Sequence, residues 1–368
     1  MATTTTTTGK AMRAAISTLA TLASRGPLGN ALDAVTVTTS QDGLCLRATG
    51  QVYNSTWESM VYTIPAFSDA EETVTVHLGD VKQAAQSLKA SDSVDVELSD
   101  TGIVLRCKSG TFALPSREVY DAGKLHTGER GTVLFNAGEL SAKMTAALPF
   151  VSDDRTRHSL TFVNYNAAAG MIEASDGRQA IRAKVGALGE CHSFLLSPSK
   201  AMKSLLKTMG KLPGNTVKVD VYDESLVLAF GPVEYTASCT GDCFPMVEQA
   251  IPVRAKATAH CGLTFADGDV AALAPLVKRC KAVDTRAILT ANGRVEISTE
   301  DTAVNAQLGA TVNAKPSDDD FVIALDPAFL VNALNASTTD MWMKDNYSPA
   351  RFDSADGNTV TCFMPMRM

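Results

Sequence analysis

One unit recurs along the 368 residues: an amphipathic helix followed by a strand pair that alternates apolar and polar residues around a turn. The first helix is expected from about Lys10 to Ala23, with Met12, Ile16, Leu19 and Ala23 on one face. Its hairpin runs from Val35 to Gly50 and turns at Asp42–Gly43, a pair that accepts positive φ. The second helix starts near Asp80, buries Val81, Ala84 and Leu88, and precedes a hairpin from Val94 to Cys107. A third begins near Asn136 with Leu140, Met144 and Leu148 as its stripe. The fourth is expected to use Ser197 as N-cap and Pro198 at N1, with Met202, Leu205 and Met209 facing inward. A fifth carries Val270, Leu273, Leu276, Val277 and Cys280, and a sixth opens with Asp326–Pro327 before Phe329, Leu330, Ala333 and Leu334. Each is followed by its own hairpin: LTFVNYN with GMIEAS, VKVDVYD with SLVLAF, AILTANGRVEIST, and MWMKDN with ARFDSA. Helix starts at 10, 80, 136, 197, 267 and 326 give a period of about 63 residues.

One such unit buries too little to stand alone, whereas two back to back share a core under a sheet. The expected architecture is therefore α+β, in three domains at 1–126, 127–252 and 253–368, each with two helices under antiparallel sheets and a pseudo-two-fold axis. The joints fall at Tyr120 to Arg130 and Pro252 to Thr258, both short of large apolar residues. A chain that is 45% hydrophobic and 20% charged is globular rather than disordered or collagen-like. No apolar stretch approaches the ~20 residues that span a bilayer, and MATTTTTTGK lacks a signal-peptide core, so a cytoplasmic protein is expected. The Thr3 to Thr8 run reads as disordered. Eight scattered cysteines read as reduced thiols, since a chain this long builds its own core. Cys239 and Cys243 with Cys191–His192 and His260–Cys261 offer zinc ligands, but no CxxC or HxxxH spacing supports a metal, and no cofactor is expected.

A formal charge of −7 rules out a uniformly basic coat for nucleic acid. The helices nevertheless carry cations: Lys10 and Arg13 on the first, Lys82 and Lys89 on the second, Lys143 on the third, Lys200, Lys203, Lys207 and Lys211 on or just after the fourth, Lys278, Arg279 and Lys281 on or just after the fifth. Their acids, Asp80, Glu139, Asp267, Asp269 and Asp326, sit at helix starts, where the macrodipole favours them. Two readings stand: solvated faces of amphipathic helices, or one positive surface for a phosphate backbone. The sixth helix, without Lys or Arg, supports the first; the bias shared by the other five supports the second. No base-reading motif occurs, so DNA binding would be independent of sequence. Nor is there an enzyme's site: His77, His126, His158, His192 and His260 are isolated, no Gly-x-Ser-x-Gly elbow occurs, and Asp153–Asp154 and Asp318–Asp319–Asp320 read as solvated loops. A repeat-built, non-enzymatic scaffold without a DNA role is the alternative function.

Several stretches carry a family resemblance. Met364–Pro365–Met366–Arg367–Met368 is similar to the Met-Pro-Met-Arg-Leu with which many bacterial DNA polymerase III β-subunit sliding clamps end. Ala174–Ser175–Asp176–Gly177–Arg178 resembles that family's Ala-Thr-Asp-Gly-His-Arg turn, and Phe244–Pro245 with Ile251–Pro252 resembles its Phe-Pro-x-Tyr…Ile/Leu-Pro stretch. Ser24–Arg25–Gly26–Pro27 and Leu28–Gly29–Asn30 resemble its loop after the first helix. The chain departs from the family around Ala48 to Glu58, and Asp326 stands where the family has Asn.

The resemblance implies a head-to-tail homodimeric ring with helices around a central hole, encircling double-stranded DNA as a processivity factor. It implies as partners the replicative DNA polymerase, a clamp loader, other proteins bearing clamp-binding motifs, and a second copy of the chain. Carried over, DNA contacts would come from Arg25, Arg155, Arg157, His158, Lys200, Lys203 and Lys207. The partner-peptide pocket would be lined by Leu160, Ser175, Gly177, Arg178, Ala180, Pro245, Gln249, Ala250, Tyr347, Pro349 and the tail Met364, Pro365, Met366, Arg367 and Met368. Adaptable methionines suit a surface that serves several partners. Arg178–Gln179–Ala180 and Gln249–Ala250 replace branched residues of the family, so bulkier anchors or a dedicated phage-type partner are expected. The dimer interface would pair an edge strand bearing Phe112 and Leu114 with a strand near Arg294 to Ser298 bearing Val295 and Ile297, Phe112 having a core role as its alternative.

Overall fold

The computed structural model describes residues 3–22, 33–41, 43–53, 56–68, 70–118, 127–211, 215–239, 243–253, 261–265, 285–290, 294–299, 308–311, 322–345 and 347–366. They form two compact units, Met1–Glu139 with Ala187–Gly241, and Leu140–Gly186 with Asp242–Met368.

The first unit holds two antiparallel sheets. The smaller runs in the order β1 (Thr3–Thr8), β6 (Ser93–Ser99), β7 (Gly102–Cys107), β8 (Gly110–Pro115). The larger has nine strands in the order β13 (Ala187–Cys191), β9 (Glu129–Asn136), β15 (Thr216–Tyr222), β16 (Ser225–Phe230), β17 (Val233–Ser238), β4 (Thr56–Ile64), β3 (Gly43–Tyr53), β2 (Ala34–Ser40), β5 (Glu72–His77). Alternation drives these strands: β2 buries Val35, Val37 and Thr39 while its other side chains are half-buried. Against the sheets lie α1 (Gly9–Leu19), α2 (Leu78–Ser87) and α4 (Lys200–Gly210), the last preceded by the short buried strand β14 (Phe194–Leu196); α3 (Ala137–Ala147) starts on Asn136, whose Oδ1 accepts from the Glu139 amide at 3.0 Å.

In the second unit one sheet follows the order β10 (Val163–Asn166), β11 (Met171–Ser175), β12 (Gln179–Lys184), β25 (Thr359–Phe363), β24 (Ala350–Ser354), β23 (Thr338–Met343), β18 (Cys261–Thr264). A second sheet has four strands, β21 (Leu308–Thr311), β20 (Arg294–Thr299), β19 (Thr285–Thr290) and β22 (Val322–Leu325), and α5 (Pro327–Asn335) follows β22. The core is aromatic: Phe363 meets Phe352 edge-on at 5.4 Å and stacks on Phe329 at 5.7 Å. Among the described residues no helix is long and apolar enough to cross a membrane.

The repeat is larger than helix and hairpin, because a strand leads into each helix and a third strand follows each hairpin. The leading strands are exchanged: β1 pairs with β6 and β5 with β2, β9 with β15, β18 with β23, and β22 with β19. A single repeat would leave that strand's backbone donors and acceptors unpaired, which is the physical reason that the units come in twos.

Three local expectations are corrected. The threonine run is strand β1: Thr5 and Thr7 are buried, the Thr5 hydroxyl donates to the Phe67 carbonyl at 2.8 Å, and Thr8 caps α1 by accepting from the Ala11 amide at 3.2 Å. Threonine is β-branched and fits a pleated surface, which outweighs its low-complexity appearance. The fourth helix is capped by Ser199, which accepts from the Met202 amide at 3.0 Å, and Ser197 is buried before it with its Oγ unpaired. Lys143 is half-buried and donates to Thr359 Oγ1 at 3.0 Å, so it is not part of an open basic face. The expected fifth helix and Arg25 lie outside the described residues. Asp326, in contrast, caps α5 as expected, accepting from the Ala328 amide at 2.8 Å, with Pro327 at N1.

Candidate functional site: a cationic helix group, an apolar seam and two end strands

Three cation-bearing helices of the first unit are neighbours, α1 packing against α2 and touching α4. α1 buries Met12, Ala15, Ile16 and Leu19, which leaves Lys10 and Arg13 outward. α4 buries Ala201, Met202, Leu205, Leu206 and Met209, leaving Lys200, Lys203 and Lys207 exposed with Lys211 beyond them and no acidic residue in the helix. Lys82 and Lys89 are exposed on and just after α2. Such a face attracts phosphate through charge alone. Arg155, Arg157 and His158 lie in the second unit, on the exposed segment after α3. Arg157 is partly committed there, to Asp154 at 3.5 Å and to the Asp176 carbonyl at 3.3 Å, and His158 packs edge-on against Phe162. Hydrogen bonds from the Thr156 hydroxyl and amide hold the Asp154 carboxyl below its ordinary range.

A buried apolar seam is built on β11, β12 and β25. Ser175 lies opposite Ala180, and Ala180 opposite Cys362. The Phe244–Pro252 segment crosses this seam, so that Val247 and Ile251 pack on Ala180 and Cys362, with Phe244 and Val360 at the border. Asp176 fixes the turn between β11 and β12 by accepting from the Arg178 and Gln179 amides at 2.7 and 2.8 Å. Gly177 has φ +87 in that turn, a conformation that favours glycine. The Arg178 carbonyl accepts from the Met364 amide at 2.8 Å, which carries the tail past the turn, and the Met366 amide donates to the Ala324 carbonyl.

Of the expected lining, the structure thus gathers Ser175, Gly177, Arg178, Ala180 and Met364. Pro245, Gln249 and Ala250 are exposed on the crossing segment, and Pro365 and Met366 are half-buried. Leu160 is buried at 9% exposure and serves the interior more than a surface. Tyr347 is 86% exposed on a loop in which Asp345 accepts from the Tyr347 and Ser348 amides, with Pro349 half-buried beside it. Arg367 and Met368 lie outside the described residues. Val247, Ile251, Cys362, Phe244 and Val360 were not anticipated; the apolar pair four residues apart, Val247 and Ile251, was the available signal. Met246 at 71% and Met364 at 48% exposure offer flexible apolar contacts, Met364 next to Arg178 through its amide.

No family model matches the chain, and no curated protein matches it. Solved structures do. The beta sliding clamp of C. crescentus superposes over 100% of this chain and 99% of its own with a TM-score of 0.80 at 14% identity. The DNA polymerase III subunit beta clamps of Pseudomonas aeruginosa and Bartonella birtlesii, each bound to griselimycin, cover 100% of both chains with a TM-score of 0.82 at 15% and 12% identity. This chain has the sliding-clamp fold.

Two end strands of the sheets bear on the expected contact between copies. β8 pairs only with β7 among the described residues, Phe112 lying opposite Leu105 and Leu114 opposite Ile103. Phe112 is half-buried and Leu114 is 8% exposed; with α2 they border a cavity of about 370 Å3 that also touches Asp80, Gln83 and Ser87. β20, which bears Val295 and Ile297, is no edge: β19 covers one side of it and β21 the other. The end strand beyond β20 is β21, Leu308–Thr311, a strand that the hairpin reading omitted; the other end of that sheet is β22, which Met366 meets at Ala324.

Proposed function

We propose that the protein is a sliding clamp: a non-enzymatic processivity factor whose two copies close head to tail around duplex DNA and tether the replicative polymerase and other DNA-processing proteins. The observation that carries this reading is the clamp fold over the whole chain, matched end to end by the bacterial clamps. The lysines of α4, with Lys10, Arg13, Lys82 and Lys89, are assigned to the DNA backbone; α1 and α4 carry no acidic residue, and α2 carries Asp80 in its first turn. Retention by topology needs no tight or base-reading contact, in keeping with the absence of a reading motif.

Domains at 1–126, 127–252 and 253–368 are supported by the strand exchanges, since β1 with β6, β5 with β2, β9 with β15, β18 with β23 and β22 with β19 each fall within one of them. Ring closure is assigned to the β8 edge of one copy and the β21 edge of the other, with Phe112 in the contact; such a heterologous interface joins unlike surfaces and closes when its rotation allows. The exposed residues bordering the seam, Pro245, Met246, Gln249, Ala250 and Met364, are assigned as the docking groove for the partners' motif, and a clamp loader is expected to open the ring. Sedimentation equilibrium tests the ring: twice the 38.8 kDa of the chain is expected, and a monomer at micromolar concentration would contradict it.

A further inference from the structure

Two arginines that lie outside the buried apolar seam hold the segment that covers it. The register puts Ser175, Ala180, Cys362, Arg351 and Trp342 in one row across β11, β12, β25, β24 and β23. Glu173, Arg182, Val360 and Asp353 form the next row on the same face, two residues along each strand. The Phe244–Pro252 segment crosses this face, and it is short of regular backbone bonds: within it the Gln249 amide donates to the Met246 carbonyl at 3.1 Å and the Ile251 amide to the Glu248 carbonyl at 3.3 Å. Its position depends on the packing of Val247 and Ile251 and on what ties it to the sheet.

One tie is Arg182, whose Nε donates to the buried Glu173 at 2.8 Å and whose Nη2 reaches Glu248 at 3.3 Å. Glu248 is 74% exposed in its side chain, so water competes and this tie is weak. The other is Arg351, whose Nη1 donates to the Pro252 carbonyl at 2.8 Å. Its Nε and Nη2 donate to one oxygen of the buried Asp353 at 2.9 and 2.7 Å, and its guanidinium lies 5.7 Å from the centre of the Trp342 ring. Trp342 Nε1 donates to the other Asp353 oxygen at 3.1 Å. A planar fork held by a carboxylate and a ring presents its remaining N–H in a fixed direction, which a lysine cannot do.

We infer that Arg351 is the positioning residue of the docking groove: through the Pro252 carbonyl it fixes the segment that seats Val247 and Ile251 in the seam and presents the exposed Pro245, Met246, Gln249 and Ala250, and so sets how tightly a partner's apolar motif is held. The inference rests on the groove being the docking site.

The test compares wild type with Arg351→Lys, and with Arg351→Gln/Asp353→Asn, which leaves no buried charge unpaired. Both are made in a Trp57→Phe background, where Trp342 is the one remaining tryptophan. The probe is a peptide selected from a displayed random library on wild type and lost on Met364→Glu. Loss of one charge-assisted bond predicts about tenfold faster amide exchange at Gln249 and Ile251 and about tenfold weaker peptide binding, mainly through faster dissociation. Trp342 emission should shift in both variants, and the melting temperature of Arg351→Lys should hold. Unchanged exchange with intact peptide binding would overturn the positioning role alone. Faster exchange with unaltered peptide affinity would overturn it as well. Failure to select any groove-binding peptide on wild type would overturn the docking reading and this inference with it.

Discussion

Glu58 carries a sharp prediction because a carboxylate sits inside the first unit at 6% exposure, held by two hydroxyls on one oxygen. Tyr235 donates to Glu58 Oε2 at 2.6 Å and Ser199 at 2.7 Å, and Ser199 is also the cap of the lysine-bearing α4. Bonds to a charged acceptor contribute about 1.5–3 kcal/mol each, so at a pH above the folded-state value of Glu58, where the carboxyl is ionised, Tyr235→Phe should cost that much. A unit of this size shifts by about 2–4 °C per kcal/mol, which gives a fall of about 3–12 °C in its calorimetric transition. The same substitution in a Glu58→Gln background should cost at least about 1 kcal/mol less, because the charged partner is gone. The pH dependence has a definite sign. Burial raises Glu58 above its ordinary 4.5, and it outweighs the bonds from Tyr235 and Ser199, which pull the other way. A carboxyl that holds its proton more tightly when folded contributes its full stability below 4.5 and loses it as pH rises through the folded-state value. The stability of wild type relative to Glu58→Gln should therefore fall by about 1.4 kcal/mol per pH unit above 4.5 and then level off. A difference that is flat or rises with pH, or zero coupling between Tyr235 and Glu58, would refute this reasoning.

Other outcomes follow from the surfaces. Lys207→Ala should lower the slope of log affinity for duplex DNA against log salt by about one unit, measured by fluorescence anisotropy; an unchanged slope removes Lys207 from the DNA face. Met364→Glu, at an exposed position, should leave stability within about 0.5 kcal/mol yet abolish binding of a groove-selected peptide in calorimetry. The standard clamp-binding consensus peptide should bind wild type weakly, because Ala180 and Ala250 leave the groove short of branched side chains; ordinary affinity would contradict this. Phe112→Glu should yield a folded monomer by light scattering, and a persisting dimer would place the interface elsewhere.

Helices and hairpins were legible in the sequence because each carries its period locally. Met12, Ile16 and Leu19 mark α1, and Val35 with Val37 marks β2, without any knowledge of partners. The leading strands were not legible, since their partners are distant: Thr3 to Thr8 become a strand only when Ser93 to Leu98 lie alongside. The same blindness misplaced the end strand, because β21 has too few residues to show a period and hides the side of β20 that it covers. Ser197 and Ser199 flank Pro198 symmetrically as caps, and only the inward facing of Ala201 and Met202 decides between them. At the groove, the motif residues Ser175, Gly177 and Ala180 were legible through resemblance. Cys362 was not, because a buried cysteine looks like any small hydrophobe until the β12–β25 register sets it opposite Ala180.

Encirclement is the central claim, and topology tests it most directly. The purified protein is placed on DNA by the loader of its host, or by spontaneous opening at high protein concentration, and its retention is followed by gel filtration on a nicked circle before and after linearisation. A clamp stays on the circle through a salt wash and is lost once the DNA has ends. Equal retention on both forms, or none on either, would contradict the account and favour a scaffold that does not surround DNA.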